Sequence, residues 1–509
     1  MNTVDVKAKT AIYRGICGED GIARFYGVRY AKKPERWRVA EPLEASEELV
    51  EAYEPGDACV QPVFPSEWPL GDPPMSEDCL WLNIWSANKE NKGRPVMVWI
   101  HGGSYMSGSA RLEYMNGGYG DFNRIAAANP DIVFVSINYR LNFFGSIDLS
   151  AFDGHEGYED SNDLALHDML EALKWIHENI SFFGGDPDNV TLMGQSAGGH
   201  AVFSLCVIPQ AARYFQKAIP SSSGFSEYND FKDARRSAAG SEAIKNLLGV
   251  STVEELLNVP AEKFAENAFW FLMESGSNFD FINNGRLFPE HPFRAWSTGV
   301  AKHISILTGS TSGELETMIF GWPDEEIKAV VPTMLGRDEE MNQKAAEKFV
   351  ENYPERDEIT AYKDALNDIG IRGRVMVNVE EHIKAGGKAY VWYCDYISKD
   401  SLLRTQHCFD SVYVFDALDS GASMGEEIPE PIATFSPSKT LQKQMEKAWM
   451  EFVRSGDPNC SEIGAEWKPY DTENKWTMHI NDKWALVQGG IRPKDLEVTL
   501  QMHSEEGLK

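Results

Sequence analysis

The sequence predicts an α/β protein built on a mostly parallel, doubly wound sheet. Three observations lead to this prediction. Short apolar segments recur along the chain, stretches with helical periodicity separate them, and the segment 95–100 is nearly all apolar, as expected of a strand that is buried on both faces. Parallel neighbours need crossover connections, and helices between the strands supply them.

The N-terminal segment differs from the rest, because it predicts antiparallel strands. From 11 to 31 the residues alternate in polarity, with turns at Gly15 and at 18–21, so we expect hairpin strands at a sheet edge. Further strands are predicted at 80–85, 95–100, 131–139, 190–193, 217–219, 303–309 and 389–393, and helices at 163–179, 199–205 and 439–454.

We predict a single domain over residues 1–509, because no repeats, low-complexity segments or linkers interrupt the chain. Two mainly helical blocks, at about 225–296 and 324–385, are expected as insertions over the carboxyl ends of the strands, where a lid would lie. In the first block, Ser251-Thr252-Val253-Glu254 predicts a capping box that opens a helix through Leu257.

Composition and charge exclude several classes of partner. The formal net charge of −30 argues against nucleic acid, because a phosphate-binding face needs clustered Lys and Arg. Residues 1–9 lack the apolar core of a signal peptide, and no apolar run approaches the ~18 residues that span a bilayer. Seven cysteines do not make a disulfide scaffold in 509 residues. We expect a cytoplasmic protein without nucleic-acid or membrane partners, and its oligomeric state stays open.

The stretch Val190–His200 carries the strongest chemical signal. An apolar run precedes Ser196, small residues surround it, and a helix-competent segment follows. In such a strand–turn–helix the serine takes strained backbone angles, and Gly194 and Gly198 leave room for the strand and the helix to pass. The turn raises the hydroxyl above the sheet, and the amide of Ala197 faces any oxyanion formed there. Ser196 is therefore the candidate nucleophile.

A serine nucleophile needs an imidazole to accept its proton and a carboxylate to hold that imidazole. Among eleven histidines, His407 stands out because it follows a predicted strand and precedes an aromatic, apolar segment. Glu314 follows the strand predicted at 303–309, and Glu316 competes with it on spacing alone. The order Ser196, Glu314, His407 is the order of the α/β-hydrolase arrangement.

The oxyanion hole needs a second donor from an upstream loop. The segment 98–105 predicts a strand that runs into the turn Gly102-Gly103-Ser104, whose amides can point inward. Each such amide is typically worth about 10²–10³ in rate, because it opposes charge that develops only in the transition state. His101, at the foot of this turn, is interpreted as a structural imidazole that bonds the loop rather than as a base.

Together these motifs resemble the type-B carboxylesterases, the family of bacterial p-nitrobenzyl esterases, animal carboxylesterases and cholinesterases. The resemblance covers nearly the whole chain and depends on several rare motifs that occur in the family's order. Besides the segments above, the matching motifs are 25–31 in the N-terminal hairpin, 76–83, 138–141, 184–187 and 456–459.

The resemblance implies an α/β-hydrolase fold and a complete catalytic site. The implied triad is Ser196 as nucleophile, Glu314 as acid and His407 as base. The implied oxyanion donors are the amides of Gly103, Ser104 and Ala197. Ser222 falls at a family position that supports the triad without taking part in proton transfer, although three serines adjoin there.

Three positions depart from the family pattern. Gln195 stands where the family usually has Glu, which removes a negative charge beside the nucleophile and counts against a preference for cationic esters. Cys59 and Cys79 match the family's first disulfide, but we expect free thiols in a reducing cytosol. Cys408 follows the base where glycine is usual, which could alter local access.

We therefore predict a serine carboxylesterase that hydrolyses carboxylic esters of small to medium size through an acyl-enzyme. We expect no metal and no cofactor, and a small-molecule ester as the partner. A thioesterase, an amidase or a lipase would use the same triad, so these alternatives stay open. A non-catalytic ligand-binding member of the fold is the alternative of another class, but such members lose triad residues and this chain keeps all three.

Overall fold

A computed structural model describes residues 2–62, 74–87, 92–111, 122–225, 234–274, 278–281, 285–397, 404–416, 438–504 and 507–508. These residues divide into two units. Within the described ranges, the first unit comprises Met1–Gln216 and Phe231–His291, and the second comprises Lys217–Asp230, Pro292–Leu418 and Glu426–Lys509. The expectation of one domain with a helical lid stays a prediction.

The first unit contains the N-terminal strands and the serine turn. Its strands are β1 (Asn2–Lys7), β2 (Ile12–Cys17), β3 (Ile22–Arg29), β4 (Leu49–Glu51), β5 (Ala58–Cys59), β6 (Met75–Ser76), β7 (Trp81–Ala87), β8 (Arg94–Ile100), β9 (Val133–Ile137) and β10 (Gly185–Gln195). Its helices are α1 (Phe122–Ala128), α2 (Asn142–Gly145), α3 (Leu164–Asn179), α4 (Ala197–Val207), α5 (Ala234–Leu248), α6 (Val253–Leu257) and α7 (Ala261–Glu274).

The sheet of the first unit changes from antiparallel to parallel along its width. The order is β1-β2-β3-β7-β9-β8-β10, with β4 beside β2. The pairs from β1 to β9 are antiparallel, which confirms the predicted N-terminal hairpin, whereas β8 lies parallel to both β9 and β10. Met193 lies opposite Trp99 and Gly194 opposite Ile100, so β8 and β10 end at the same edge of the sheet.

The second unit contains five strands and a mainly helical segment in its described residues. Its strands are β11 (Lys217–Ser221), β12 (Ser305–Thr311), β13 (Lys388–Cys394), β14 (Thr477–Ile480) and β15 (Ala485–Val487). Its helices are α8 (Pro292–Ser297), α9 (Asp324–Val330), α10 (Glu339–Asn352), α11 (Glu358–Asn367), α12 (Gly373–Lys384), α13 (Phe409–Val414), α14 (Lys439–Ser455) and α15 (Pro493–Met502).

The strands of the second unit run in their order along the chain. The strands β11 to β14 are parallel, and β15 closes the edge antiparallel to β14. Ser221 lies opposite Gly309 and Thr311 opposite Cys394, so the segments after β11, β12 and β13 leave from one edge. The helices α9 to α11 and α15 pack around buried side chains such as Val331, Phe349, Ala361, Leu366 and Val498.

The predicted helical blocks are largely confirmed in the described residues, with one local correction. The helices α5 to α8 lie within the first block and α9 to α12 within the second. The capping box forms one residue later than predicted, because the Thr252 hydroxyl accepts from the Glu255 amide while the Glu255 carboxylate accepts from the Thr252 amide. In the part of the chain that the structure describes, no helix combines the length and apolarity needed to cross a bilayer.

Candidate active site

Ser196 occupies the sharp turn between β10 and α4. Its backbone angles are φ 58° and ψ −126°, an uncommon conformation for a residue with a side chain. Such a conformation costs about 1–3 kcal/mol and persists only where its surroundings enforce it. Between 190 and 200 every residue except Ser196 is buried. The turn therefore lifts this one side chain out of a close-packed segment, as the sequence predicts.

Two glycines allow the strand and the helix to cross at this turn. A Cβ atom on Gly194 would lie 2.3 Å from the carbonyl oxygen of Gly198. A Cβ atom on Gly198 would lie 2.1 Å from the carbonyl oxygen of Ile100. Both distances are shorter than any real carbon–oxygen contact. The close approach also brings the end of β8 directly against the first turn of α4.

The loop after β8 passes beside the nucleophile. A Cβ atom on Gly102 would lie 2.7 Å from the carbonyl oxygen of Gln195 and 3.2 Å from the Cβ of Ser196. Gly103 and Ser104 then take φ angles of 102° and 56°. The first unit therefore brings together Ser196 and the loop that carries the predicted oxyanion donors, with Ala197 at the start of α4.

Contacts on both sides hold this loop in its unusual conformation. The amides of Met106 and Ser107 donate to the carbonyl oxygen of Gly103 at 2.9 and 3.0 Å, and the Asn142 amide donates to that of Tyr105 at 2.6 Å. The Tyr105 hydroxyl is hydrogen-bonded to Nδ1 of His200 at 2.8 Å. His200 belongs to α4, so this bond ties the loop to the helix that follows the nucleophile.

His101 has the structural role that the sequence suggests. Its ring stacks on Tyr139 with 4.3 Å between centroids, and its Nδ1 donates to the carbonyl oxygen of Gly102 at 2.9 Å. Burial lowers the pKa of His101 to about 4, so the ring is neutral at physiological pH. This imidazole supports the start of the loop.

The second unit brings together the predicted acid and base. Nδ1 of His407 lies 2.5 Å from Oε2 of Glu314, a short, charge-assisted contact between residues 93 positions apart. Glu314 follows β12, His407 follows the segment after β13, and a β-bridge between Gly313 and Gln406 aligns the two loops. Of the two carboxylates that spacing leaves open, Glu314 is the one that contacts the imidazole.

The remaining oxygen of Glu314 is also satisfied. Oε1 accepts hydrogen bonds from the Ser222 hydroxyl and the Thr311 amide, both at 2.7 Å. Ser222, in the left-handed region at φ 50°, directly follows β11 and contributes its hydroxyl there. Three donors converge on one buried carboxylate, which fixes its orientation. Among the three adjoining serines, Ser222 makes this contact.

The electrostatics of this group favour a charged imidazole. Burial disfavours the imidazolium, but Cys408 and Glu314 outweigh it and raise the pKa of His407 well above its ordinary value. Asp410 lies fully buried near Glu314 and Ser221. Burial first, and the charge of Glu314 second, raise the pKa of Asp410 to about 6. Asp410 is not among the site residues predicted from the sequence, although a single carboxylate in the apolar segment 409–415 is a signal that could have identified it.

Two of the departures from the family pattern have a structural setting here. Cys408 takes φ 74°, a left-handed conformation that favours glycine, which explains why glycine is usual at this position. Gln195 is buried directly before Ser196.

Cys59 and Cys79 are both buried thiols, and the neighbouring Cys59 together with burial raises the pKa of Cys79. No group of three or more His, Cys, Asp or Glu side chains in the described ranges is arranged to hold a metal ion.

The comparisons with known proteins agree on one family. Residues 6–499 match the model of the Carboxylesterase family. The para-nitrobenzyl esterase of Bacillus subtilis (strain 168) is 30% identical, over 91% of this chain and 92% of its own length. A phenmedipham hydrolase of Pseudarthrobacter oxydans is 29% identical, over 98% of this chain and 99% of its own length.

Solved structures extend the likeness to the fold. A carboxylesterase from Geobacillus stearothermophilus superposes with a TM-score of 0.82 at 27% identity, covering 98% of this chain and 100% of the other. A PNB esterase superposes with a TM-score of 0.78 at 26% identity, covering 97% of this chain and 99% of the other. The α/β-hydrolase fold predicted from the sequence is thereby confirmed.

Proposed function

This chain belongs to the carboxylesterase family and is a carboxylic ester hydrolase, and we propose that it cleaves small to medium-sized esters through an acyl-enzyme on Ser196. The observation that carries the proposal is the contact between His407 and Glu314, with Ser222 on the other carboxylate oxygen. An imidazole held in this way can act as a general base that takes the proton from a nucleophile. The strained turn of Ser196 presents one.

Acylation uses the nitrogen of His407 that Glu314 leaves available. Glu314 engages Nδ1, so Nε2 takes the proton from the Ser196 hydroxyl as Oγ bonds to the ester carbonyl carbon. The imidazolium then gives that proton to the leaving alkoxide oxygen. The carbon–oxygen bond breaks, the alcohol departs, and the acyl group stays on Oγ.

The charge that develops on the carbonyl oxygen is stabilised by backbone amides. We assign this role to Gly103, Ser104 and Ala197, because the first two follow β8 at the turn beside Ser196 and the third opens α4. Backbone amides held in a fixed loop need no reorientation in the transition state, so their alignment adds no cost there.

Deacylation repeats the same proton transfers with water. Nε2 of His407 accepts a proton from the water that attacks the acyl carbonyl, and the imidazolium returns it to Oγ of Ser196. The carboxylic acid is released and the enzyme is regenerated. The raised pKa of His407 makes the imidazolium of both steps more stable.

A substrate panel with one variant tests the proposal. Purified protein is assayed on p-nitrophenyl acetate, butyrate, octanoate and palmitate, with phenmedipham included because one relative is named for it. We expect fast cleavage of the short and medium esters. Ser196→Ala should lose about 10⁴–10⁶ of kcat, since removing a triad member leaves only the oxyanion hole and binding. Circular dichroism verifies that the variant is folded.

The same panel separates the alternatives. A butyryl thioester and a butyryl anilide report thioesterase and amidase activity, and a preference for palmitate over acetate would indicate a lipase. Ester turnover that survives in folded Ser196→Ala would refute the assigned nucleophile. The cytoplasmic location expected from the sequence stays a prediction that cell fractionation tests.

A further inference from the structure

Glu316, the carboxylate that does not contact His407, forms an ion pair with the loop that carries His407. Nε of Arg404 donates to Oε1 of Glu316 at 2.7 Å, and a second guanidinium nitrogen lies 2.6 Å from the same oxygen. The side chain of Glu316 is 4% exposed and that of Arg404 is 18% exposed. Glu316 lies two residues after Glu314, and Arg404 lies three residues before His407.

The backbones of the two loops also run side by side at this point. The Gly313 amide donates to the carbonyl oxygen of Thr405 at 2.8 Å, and Gly313 forms a β-bridge with Gln406. The ion pair therefore adds a side-chain link to this backbone link between the loops. Glu314 and His407 lie immediately beyond the backbone link, so its geometry sets the distance between the two side chains.

The ion pair is anchored to a helix that takes no part in the proposed chemistry. The guanidinium of Arg404 also bonds to Asp364 of α11, and the Leu315 amide donates to Asn367 of the same helix at 2.7 Å. Ala361, Ala365 and Leu366 of that helix lie in the buried core of the second unit. Both loops are thus tied to one rigid element.

The pair belongs to a charge-balanced cluster. Within the described residues it contains four carboxylates and four guanidiniums: Glu316, Asp364, Asp368 and Asp495 with Arg356, Arg372, Arg404 and Arg492. Buried charges are tolerated only with partners and good geometry, so each member restricts the positions of the others. A cluster of this kind suits a positioning role more than a stabilising one.

We propose that Arg404 and Glu316 form a positioning clamp that holds the base loop against the acid loop, so that His407 and Glu314 keep a reactive geometry. The proposal depends on the proposed function, in which those two residues are the base and the acid. A displacement of about 1 Å in such a site can cost about 10²-fold in rate. The clamp residues act through the loops that carry Glu314 and His407, and we assign them no part in proton transfer.

The test compares Glu316→Leu with Glu380→Leu in the full chain. Glu380 is also buried and accepts from Lys475 and Tyr470, so its loss removes a buried ion pair of similar kind away from both loops. For Glu316→Leu we expect kcat on p-nitrophenyl butyrate to fall by about 10- to 100-fold while KM stays within about twofold. The control should keep kcat within about threefold of the intact enzyme.

A pH profile separates positioning from folding. Loss of the clamp loosens the contact between Glu314 and His407 and removes a negative charge, so the lower limb of the kcat/KM profile should move to lower pH. The titratable groups that face the imidazole, Glu314, Cys408 and Asp410, are the same in every variant. Glu316→Gln keeps the shape and an acceptor oxygen, and should restore kcat to within about threefold.

Two further outcomes would refute or support the proposed clamp. If folded Glu316→Leu keeps the kcat and the pH limb of the intact enzyme, the clamp is refuted. If Glu316→Leu does not fold, Arg404→Lys decides, because one ammonium cannot replace a guanidinium that contacts Glu316 through two nitrogens and Asp364 through the third. We then expect kcat to fall by about three- to tenfold, and an unchanged kcat overturns the proposal. Ser196→Ala assayed alongside tests the proposed function independently.

Discussion

The serine turn of the first unit and the acid–base pair of the second unit are positioned by different means. The backbone positions Ser196, which takes φ 58° at a turn where the strand and the helix approach closely. The glycines two residues before and after it make this approach possible, because a Cβ atom at either position would clash with a carbonyl oxygen. Glu314 and His407, by contrast, are positioned by a contact between their own side chains, although they lie 93 positions apart in the chain. Ser222 and Thr311 complete the second arrangement.

This difference determines how each arrangement should fail. A strained backbone turn depends on empty space, so a single added methyl group displaces it. A side-chain network depends on proton positions, so an isosteric change that leaves the shape intact still disables it.

The largest effect is expected for Glu314→Gln. The introduced amide keeps the shape but cannot hold the imidazole in the required tautomer, so kcat should fall by about 10³–10⁴. The matched control is Glu316→Gln, an identical change two residues away, which should stay within about threefold. Steady-state kinetics on p-nitrophenyl butyrate measure both. Equal losses in the two variants would contradict the assignment of the acid.

The backbone arrangement should fail with Gly198→Ala. The added Cβ would lie 2.1 Å from the carbonyl oxygen of Ile100, so the strand end that leads into the oxyanion loop must move. We expect a loss of about 10²–10³ in kcat, comparable to losing an oxyanion donor, and a lower Tm. Ser204→Ala in the same helix removes a buried hydroxyl that has no described partner and should change neither. Unchanged kinetics in Gly198→Ala would show that the turn tolerates a wider spacing.

The pH dependence follows from the acid–base pair. Only neutral His407 accepts a proton, and Cys408 and Glu314 outweigh burial to raise its pKa above the ordinary value near 6.5. Activity should therefore rise with pH through that pKa, and kcat/KM should fall about tenfold per pH unit below it. A pH-stat assay on a neutral ester measures the limb. If kcat/KM of the intact enzyme began to fall only below pH 6, that result would contradict the raised pKa of His407.

The smallest effect is expected for Ser104→Gly. Ser104 takes φ 56°, where glycine has no steric cost, but glycine also gains entropy in the unfolded chain. The free energy of unfolding should change by no more than about 1 kcal/mol, with kcat within about threefold, because the donating amide remains. Ser107→Gly, whose φ is outside the left-handed region, should lower the free energy of unfolding by about 0.5–1 kcal/mol. Urea denaturation compares the two.

Much of the fold was predictable from local patterns. The apolar segments, the alternating N-terminal hairpin and the glycine-ended helix α14 each depend on neighbours in the chain, and all are found near their predicted bounds. The capping box shows the limit of such patterns. Ser251 with Glu254 and Thr252 with Glu255 both have the residue types of a capping box, and the structure forms the second pair. Local propensity identifies an element more reliably than its first residue.

The candidate site divides in the same way. The serine turn and the oxyanion loop were predictable because the chemistry needs particular residue types at adjacent positions. The choice of Glu314 over Glu316, the hydrogen bond from Ser222 and the burial of Asp410 were not, because each depends on which side chains meet from distant segments.

The family and the fold class were predictable from the sequence and are confirmed, and Ser196 is predicted as the nucleophile, since all three follow from short motifs whose spacing is set by backbone sterics. Only the folded chain shows that Glu314, rather than Glu316, contacts His407, that Tyr105 bonds to His200, and that Arg404 pairs with Glu316. The physical reason is that side-chain contacts between distant loops depend on the register of the intervening strands and on the pairing of buried charges. Neither is encoded in a local window of residues.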